Sequence, residues 1–160
     1  MTVEEQARAA RQASYRLATA PGPLKDRALE AVAGAIESRT ADLLTANRAD
    51  QERARAEGIK DALLKRLALS DSKVAQMVTS VRDLLRLPDP IGRRRLAREL
   101  DQGLVLTQLT VPLGVIGVVF EARPDALVQI STLCLKSGNA VILKGGSEAR
   151  GSNRLLHELI

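Results

Sequence analysis

The feature that most constrains the fold is a strand, helix and strand pattern in the last third of the chain. Residues 115–120 form a continuous apolar run, as expected of a strand that is covered on both faces. Pro124 opens a predicted helix that runs to about Ser137 and ends at Gly138. Residues 140–143 form a second apolar run. This order predicts a parallel crossover, and therefore an α/β fold.

The first 92 residues show helical spacing and predict a helical N-terminal layer. Thr2 and Glu5 form a capping-box pair, which predicts a helix start, and residues 21–23 remove backbone donors and end that helix. The second helix is predicted with one apolar stripe made of Leu24, Ala28, Ala31, Val32 and Ala35. Further helices are predicted from a cap at Thr40 to before Gly58, over residues 61–69, and along residues 74–85.

A different pattern follows over residues 93–112. Apolar and polar residues alternate along residues 104–111, which predicts a half-buried strand. The triplet Arg93-Arg94-Arg95 is the densest basic run of the chain, and we interpret it as a solvated surface.

Two polar loops follow the two strands of the predicted crossover. The strand-end loop, residues 120–125, contains Arg123, which is suited to bind a phosphate or a carboxylate. The glycine loop, residues 144–148, offers the charge of Lys144 and backbone amides that an anion can approach. Adjacent parallel strands bring both loops to one sheet edge, where ligands of such folds bind. The alternative interpretation is two ordinary solvated loops.

Charge and composition favour a small anionic ligand. The chain has 24 basic and 19 acidic side chains and a net charge of +5, which attracts anions. Single-stranded nucleic acids are bound largely by stacking aromatics, and Tyr15 and Phe120 lie far apart in sequence. We therefore expect a phosphorylated small molecule and no nucleic acid, and we assign Tyr15 to packing.

The remaining reactive side chains predict neither a metal site nor a nucleophile. Cys134 falls on the apolar face of the predicted helix, so we interpret it as a buried small hydrophobe. His157 is the single histidine and is predicted to be solvated. One cysteine forms no internal disulfide, the start of the chain is acidic, and the longest apolar run is too short to span a membrane. We expect a cytoplasmic protein without a membrane helix.

Two long motifs then identify a family resemblance. The segments VPLGVIGVVFEARPD and LCLKSGNAVILKGGSEA resemble the signature region of γ-glutamyl phosphate reductase and, more distantly, the aldehyde dehydrogenase superfamily. The segments RQASYRLA and ADLLTANRADQERARAEGIKDALLKRLALS resemble the N-terminal helices of the same reductases. The resemblance implies helices over residues 1–92 that pack on the first part of a Rossmann-like cofactor domain, residues 113–160. Within the strand region of residues 93–112, the strand over residues 104–111 resembles the region from which superfamily members build a subunit-joining hairpin, so a homodimer is the family expectation.

The resemblance also implies an activity. Reductases of this family use NADPH to convert L-glutamate 5-phosphate into L-glutamate 5-semialdehyde and phosphate, in proline biosynthesis. The reaction passes through a thioester on a cysteine that is carried by a later, catalytic domain. That domain is absent here, the nucleophile is expected beyond Ile160, and the isolated chain is expected to be inactive. The alternatives are a non-catalytic nucleotide-binding or regulatory module and a helical interaction protein.

Site residues carry over from the family by position. Lys144, Ser147 and Glu148, with Gly145 and Gly146, match the KPSE-type loop that contacts the adenosine ribose or its 2′-phosphate. Phe120, Glu121 and Ala122 match the strand end that lies along the NADPH or NADP cofactor. Arg123 and Asp125 are candidates for the substrate or oxyanion site, although family members commonly have asparagine where this chain has Asp125.

Overall fold

The computed structural model describes residues 2–160 and shows seven helices and four strands in that part of the chain. In chain order these are α1 (Val3–Ala18), α2 (Gly22–Ser38), α3 (Thr40–Ala56), α4 (Asp61–Leu67), α5 (Asp71–Arg86), β1 (Arg94–Asp101), β2 (Leu104–Leu109), β3 (Val115–Val119), α6 (Pro124–Lys136), β4 (Ala140–Lys144) and α7 (Arg150–Leu159). A single 3₁₀ turn, Ser147–Ala149, precedes α7. No helix of residues 2–160 is both long and apolar enough to cross a membrane.

Helix α1 begins at the predicted capping box. The hydroxyl of Thr2 accepts a hydrogen bond from the Glu5 amide at 3.2 Å, and the Glu5 carboxylate accepts one from the Thr2 amide at 2.7 Å. Each residue satisfies a backbone donor of the other, as the motif requires. The helix ends at Ala18, before residues 21–23, as predicted.

The buried face of α2 differs from the predicted stripe. The buried residues are Lys25, Leu29, Val32, Ala33 and Ile36, whereas Leu24 is exposed. The predicted stripe did not contain Lys25, whose ammonium is paired with Asp89 at 2.8 Å. A paired charge is compatible with burial, so the helix is rotated relative to the prediction.

The predicted cap of α3 is also wrong. Thr40 is the first residue of the helix, and its hydroxyl donates to the carbonyls of Ile36 at 3.2 Å and Glu37 at 2.9 Å. Those carbonyls belong to the last turn of α2, where they lack partners within the helix. The hydroxyl therefore ends one helix instead of starting the next.

The main core lies between the helices. Its buried members come from α2, α3, α5, α6 and α7 and include Leu29, Ile36, Leu43, Val74, Val81, Val128 and Leu156. A smaller cluster joins Ala54 of α3, Leu67 of α4 and Ala149 of the 3₁₀ turn. The helical layer thus supports the segment that carries the glycine loop.

Strands β1 and β2 form an antiparallel hairpin that stands apart from the core. Every residue of both strands is exposed, so the predicted half-buried strand is wrong for this chain, because no layer covers either face. Strand β1 was not predicted, since its many charges hid the pattern. The arginine triplet is exposed, as predicted.

Strands β3 and β4 are parallel, with Val115 opposite Ala140 and Val119 opposite Lys144, and α6 connects them. This confirms the predicted crossover and the α/β class. The prediction that β3 is covered on both faces is wrong, since Val115, Gly117 and Val119 are exposed and the alternate residues are half-buried. A two-stranded sheet with helices on one side leaves one face of β3 open.

Candidate functional site

The strand-end loop and the glycine loop meet at the carboxyl ends of β3 and β4. Val119 lies opposite Lys144 in the sheet, and the Phe120 amide donates to the Lys144 carbonyl at 3.1 Å. A pocket of about 460 Å³ is lined by Val119 and by six of the predicted residues: Phe120, Glu121, Lys144, Gly146, Ser147 and Glu148. Its volume falls in the range of small-molecule sites. The predicted juxtaposition of the loops is confirmed.

A hydrogen bond also joins the two loops through a side chain. The Glu148 carboxylate accepts the backbone amide of Ala122. Ala122 is 1% exposed and has a φ of 44°, a left-handed conformation that residues with a Cβ rarely adopt. The carboxylate of Glu148 is therefore directed toward the strand-end loop.

Arg123 and Asp125 form an ion pair at the start of α6. Arg123 Nη2 donates to Asp125 Oδ2 at 2.9 Å. The hydrogen bond and the charge of Asp125 raise the pKa of the Arg123 guanidinium above its usual value. The pair offsets the negative charge of Asp125, which would otherwise repel an anionic substrate.

The glycine loop has the features of an anion-binding segment. A Cβ on Gly145 would collide with the Asn153 side chain, and one on Gly146 would collide with the Glu148 carboxylate. Within residues 2–160, no acceptor pairs with the backbone amides of Gly146 and Ser147, and no partner pairs with the exposed Lys144 ammonium. Unpaired amides beside a free ammonium suit a phosphate group.

Helix α3 holds the glycine loop in place. Asp50 is buried and accepts from the amides of Gly151 at 3.0 Å and Ser152 at 2.7 Å, and from the Ser152 hydroxyl at 2.8 Å. Arg53 pairs with Asp50 at 2.6 Å and donates to the carbonyls of residues 147 and 148 at 3.4 Å. Because Asp50 already caps α7, the amides before the helix are the ones left for an anion. No sequence motif indicated Asp50 or Arg53, which lie about 100 residues from their partners.

A larger open groove of about 1030 Å³ continues from the glycine loop between α1, β4 and α7. Asn153 and His157 lie on its α7 side, and the exposed His157 matches the prediction of a solvated side chain. Asn153 Oδ1 is buried without a hydrogen-bond partner within the described residues. A buried acceptor that lacks a donor is rare and suits a ligand hydroxyl group. Sequence reasoning did not find Asn153.

The other reactive side chains do not form a second site. Cys134 is buried as predicted, and burial raises the pKa of its thiol, which disfavours the thiolate. The predicted packing role of Tyr15 is wrong, because the residue is 54% exposed and its hydroxyl accepts a hydrogen bond from Arg11 Nε at 2.9 Å. In residues 2–160, no group of three or more His, Cys, Asp or Glu side chains is placed to bind a metal ion.

Known proteins resemble this chain in sequence and in fold. No family model matches the chain. It is 48% identical over 160 residues to the γ-glutamyl phosphate reductase of Acetivibrio thermocellus, an alignment that covers the whole chain and 37% of that relative. The crystal structure of the γ-glutamyl phosphate reductase of Saccharomyces cerevisiae superposes with a TM-score of 0.95 at 38% identity, over 99% of this chain and 41% of that one.

A more distant likeness concerns the fold alone. A Bacillus subtilis protein assigned to the aldehyde dehydrogenases superposes with a TM-score of 0.69 at 14% identity, over 94% of this chain and 31% of that one. The helical layer and the β3, α6 and β4 unit thus have the aldehyde-dehydrogenase-type α/β arrangement. The chain spans little more than a third of the length of the curated relative it matches.

Proposed function

The chain is homologous over its whole length to part of the γ-glutamyl phosphate reductases, and we propose that it forms part of the cofactor-binding region of such an enzyme. The proposed reaction is the reduction of L-glutamate 5-phosphate by NADPH to L-glutamate 5-semialdehyde and phosphate, in cytoplasmic proline biosynthesis. In this assignment, residues 1–92 form the helical layer, residues 93–112 join subunits, and residues 113–160 begin the cofactor domain.

The observation that carries this proposal is the meeting of the two loops at the ends of β3 and β4. Lys144 and the amides of Gly146 and Ser147 are unpaired within the described chain, as an anion-binding loop requires. The unpaired Oδ1 of Asn153 suits a ribose hydroxyl. These features fit the phosphate and sugar of a dinucleotide.

The residues of this chain bind and orient, and the nicotinamide supplies the hydride when it is bound. Lys144 and Ser147 would hold the adenosine ribose or its 2′-phosphate, and Gly145 would let the backbone approach it. Phe120 and Glu121 line the path toward the nicotinamide. NADPH is proposed over NADH on the resemblance to the reductase family, and the positive charge of Lys144 is compatible with a 2′-phosphate.

Arg123 and Asp125 act on the substrate side in this proposal. Arg123 is half-exposed and keeps donors free to bind a carboxylate or phosphate, while Asp125 fixes its direction. Cys134 is buried and its pKa is raised, so it does not supply the attacking thiolate. We assign the nucleophile to residues outside this chain and expect no turnover by the chain itself.

A homodimer is part of the same proposal. The β1–β2 hairpin exposes apolar side chains on both faces, including Leu96, Leu104, Leu106 and Leu109. Exposed apolar strands with free edges favour association. The hairpin is therefore the proposed contact between subunits.

A non-catalytic nucleotide-binding module is the second candidate. It is favoured by one observation, the presence of the anion-binding loop in a chain whose single thiol is buried. The two candidates predict different results for the reverse reaction. This reaction is measured with glutamate 5-semialdehyde, NADP and phosphate, after the chain is mixed with the remaining part of a reductase of this family. Restored turnover supports the reductase, and cofactor binding without turnover supports the module.

Fluorescence titration of the purified chain with NADPH tests the cofactor site. We expect Lys144→Ala to weaken NADPH binding about tenfold, through the loss of one ion pair with a phosphate, and to weaken NADH binding less. Lys65→Ala is the matched control, because Lys65 is exposed on α4 and lines neither the pocket nor the groove. Equal affinities of the two variants, or no binding by the wild-type chain, would refute the proposal.

A further inference from the structure

Ala122 has a backbone conformation that needs an explanation. Among residues 2–160 it is the only non-glycine residue with a positive φ. The left-handed region brings the Cβ close to the backbone, so an alanine stays there only when its surroundings hold it. Ala122 is also buried, and it lies between the two exposed site candidates Glu121 and Arg123. Its conformation therefore sets the directions in which those two side chains leave the backbone.

Both ends of this turn are held by contacts. On one side, the Ala122 amide donates to the Glu148 carboxylate, a contact between residues 26 apart in the sequence. On the other side, the buried ring of Pro124 begins α6 and restricts the backbone of Arg123. The Glu148 carboxylate lies directly beside Gly146 on its way to Ala122. A Cβ on Gly146 would collide with both carboxylate oxygens.

We propose that Glu148 is a positioning residue that keeps Ala122 in its left-handed conformation and so orients Glu121 and Arg123. The family match placed Glu148 at the ribose, but one of its carboxylate oxygens already accepts a hydrogen bond from the protein. Glu148 thus connects the glycine loop to the strand-end loop, and its effect on a ligand passes through Ala122. The predicted effect of Glu148 on ligand binding rests on the proposed function, whereas its predicted effect on the Ala122 backbone does not.

Amide hydrogen exchange in the purified chain tests whether Glu148 holds the backbone of Ala122. We expect the Ala122 amide to exchange at least about tenfold faster in Glu148→Ala, because a hydrogen bond to a charged acceptor is lost. Glu148→Gln should keep most of the protection, since its side-chain carbonyl also accepts. Glu52→Ala is the control, because it removes an exposed carboxylate of α3 that lines neither the pocket nor the groove. It should leave the Ala122 amide unchanged.

A compensating substitution separates positioning from direct ligand contact. Glycine adopts a positive φ without a steric penalty, so Ala122→Gly should reduce the need for Glu148. We expect Glu148→Ala to weaken NADPH binding, and the double variant Ala122→Gly/Glu148→Ala to recover most of that loss. A carboxylate that contacts the ribose directly would not be replaced by a glycine at position 122.

Several results would overturn the inference. An unchanged Ala122 exchange rate in Glu148→Ala would show that the carboxylate does not hold the turn. If the Ala122 amide exchanged as fast in Glu148→Gln as in Glu148→Ala, the hydrogen bond would be excluded as the cause of its protection. NADPH affinity that stays low in the double variant would make Glu148 a direct ligand. If the wild-type chain binds no NADPH, the proposed function fails, and the exchange rates still decide the role of Glu148.

Discussion

Two lysines are buried among residues 2–160, and each is paired with an aspartate. Lys25 on α2 lies 2.8 Å from Asp89, and Lys136 on α6 lies 2.7 Å from Asp26. Lysine is almost never buried unless it is paired. The two pairs join α2 to the segment before the hairpin and to the end of α6. Single side chains thus connect segments that are distant in the sequence.

The Lys25–Asp89 pair makes the stability of the fold depend on pH. Burial raises the pKa of Asp89, but the hydrogen bonds from Lys25 and the Ile91 amide and the charge of Lys25 outweigh it, so the pKa is lowered. A carboxyl group with a lowered folded-state pKa stabilises the fold above its unfolded pKa and loses that effect as pH falls through the folded value. We therefore expect the contribution of Asp89 to decline below about pH 4.

Urea unfolding of Asp89→Asn checks this prediction. At neutral pH the variant should be less stable by about 3 kcal/mol, because Lys25 is left buried without a counter-charge. The difference from the wild type should shrink as the pH falls below about 4. Asp42→Asn is the control, since it alters an exposed pair with Arg39 and should change the unfolding free energy little. A difference that does not change with pH would contradict the prediction.

The buried carboxylate of Asp50 supports the start of α7. Its removal in Asp50→Ala leaves the Gly151 and Ser152 amides without their acceptor. We expect a loss of about 3 kcal/mol in the free energy of unfolding, measured by urea denaturation, because buried unpaired donors are costly. Asp42→Ala should cost less than about 0.5 kcal/mol. Equal losses in the two variants would mean that α7 does not depend on this cap.

At the scale of elements, glycine ends α6 for two reasons. Gly138 has a φ of 70°, and the Asn139 amide donates to the Cys134 carbonyl at 2.8 Å, which closes the last turn. A Cβ at this position would also meet the side chains of Ile91 and Pro112. The end of the helix is therefore restricted both by its backbone conformation and by its neighbours.

Comparing two glycine substitutions separates these effects. Gly58 has a φ of 73°, and no atom lies within 4 Å of the place that a Cβ would take, so Gly58→Ala adds only the backbone penalty of about 1 kcal/mol. We expect Gly138→Ala to cost about 2 kcal/mol more, because overpacking is added. Thermal and urea unfolding measure both. Equal costs would show that the neighbours of Gly138 adjust freely.

At the scale of the whole molecule, the hairpin and the helical body are nearly independent. The hairpin is attached to the preceding segment through Thr110, whose hydroxyl donates to the Pro90 carbonyl at 2.6 Å, and through Arg93, whose Nε donates to the Asp89 carbonyl at 2.9 Å. The core contains no residue of either hairpin strand. The body therefore folds without a packing contribution from β1 or β2.

Replacing residues 95–108 with a short Gly-Ser linker tests this division. The bonds of Thr110 remain, so the melting temperature should fall by less than about 3 °C. Leu29→Ala, which removes a fully buried core side chain, should destabilise the body by about 3 kcal/mol and serves as the contrast. A large fall in the melting temperature of the linker variant would mean that the hairpin packs on the body. Light scattering of the same variant shows whether the hairpin joins subunits.

Much of the candidate site was predictable because it depends on local patterns. The apolar runs identify β3 and β4, Pro124 and Gly138 bound the helix between them, and parallel strands place their carboxyl ends together. These rules depend on backbone geometry and hold whatever surrounds the unit. They were sufficient to bring residues 120–125 beside residues 144–148.

The sequence alone determined the helices, the capping box of α1 and the parallel crossover, because each follows from interactions within a few residues. Only the tertiary structure decided which face of α2 is buried, that Asp50 caps α7, and that Glu148 bonds to Ala122. Those outcomes rest on hydrogen bonds and ion pairs between residues 26 to 102 apart in the sequence. No short-range pattern encodes such a contact, since a charge is buried only when the fold brings it a partner.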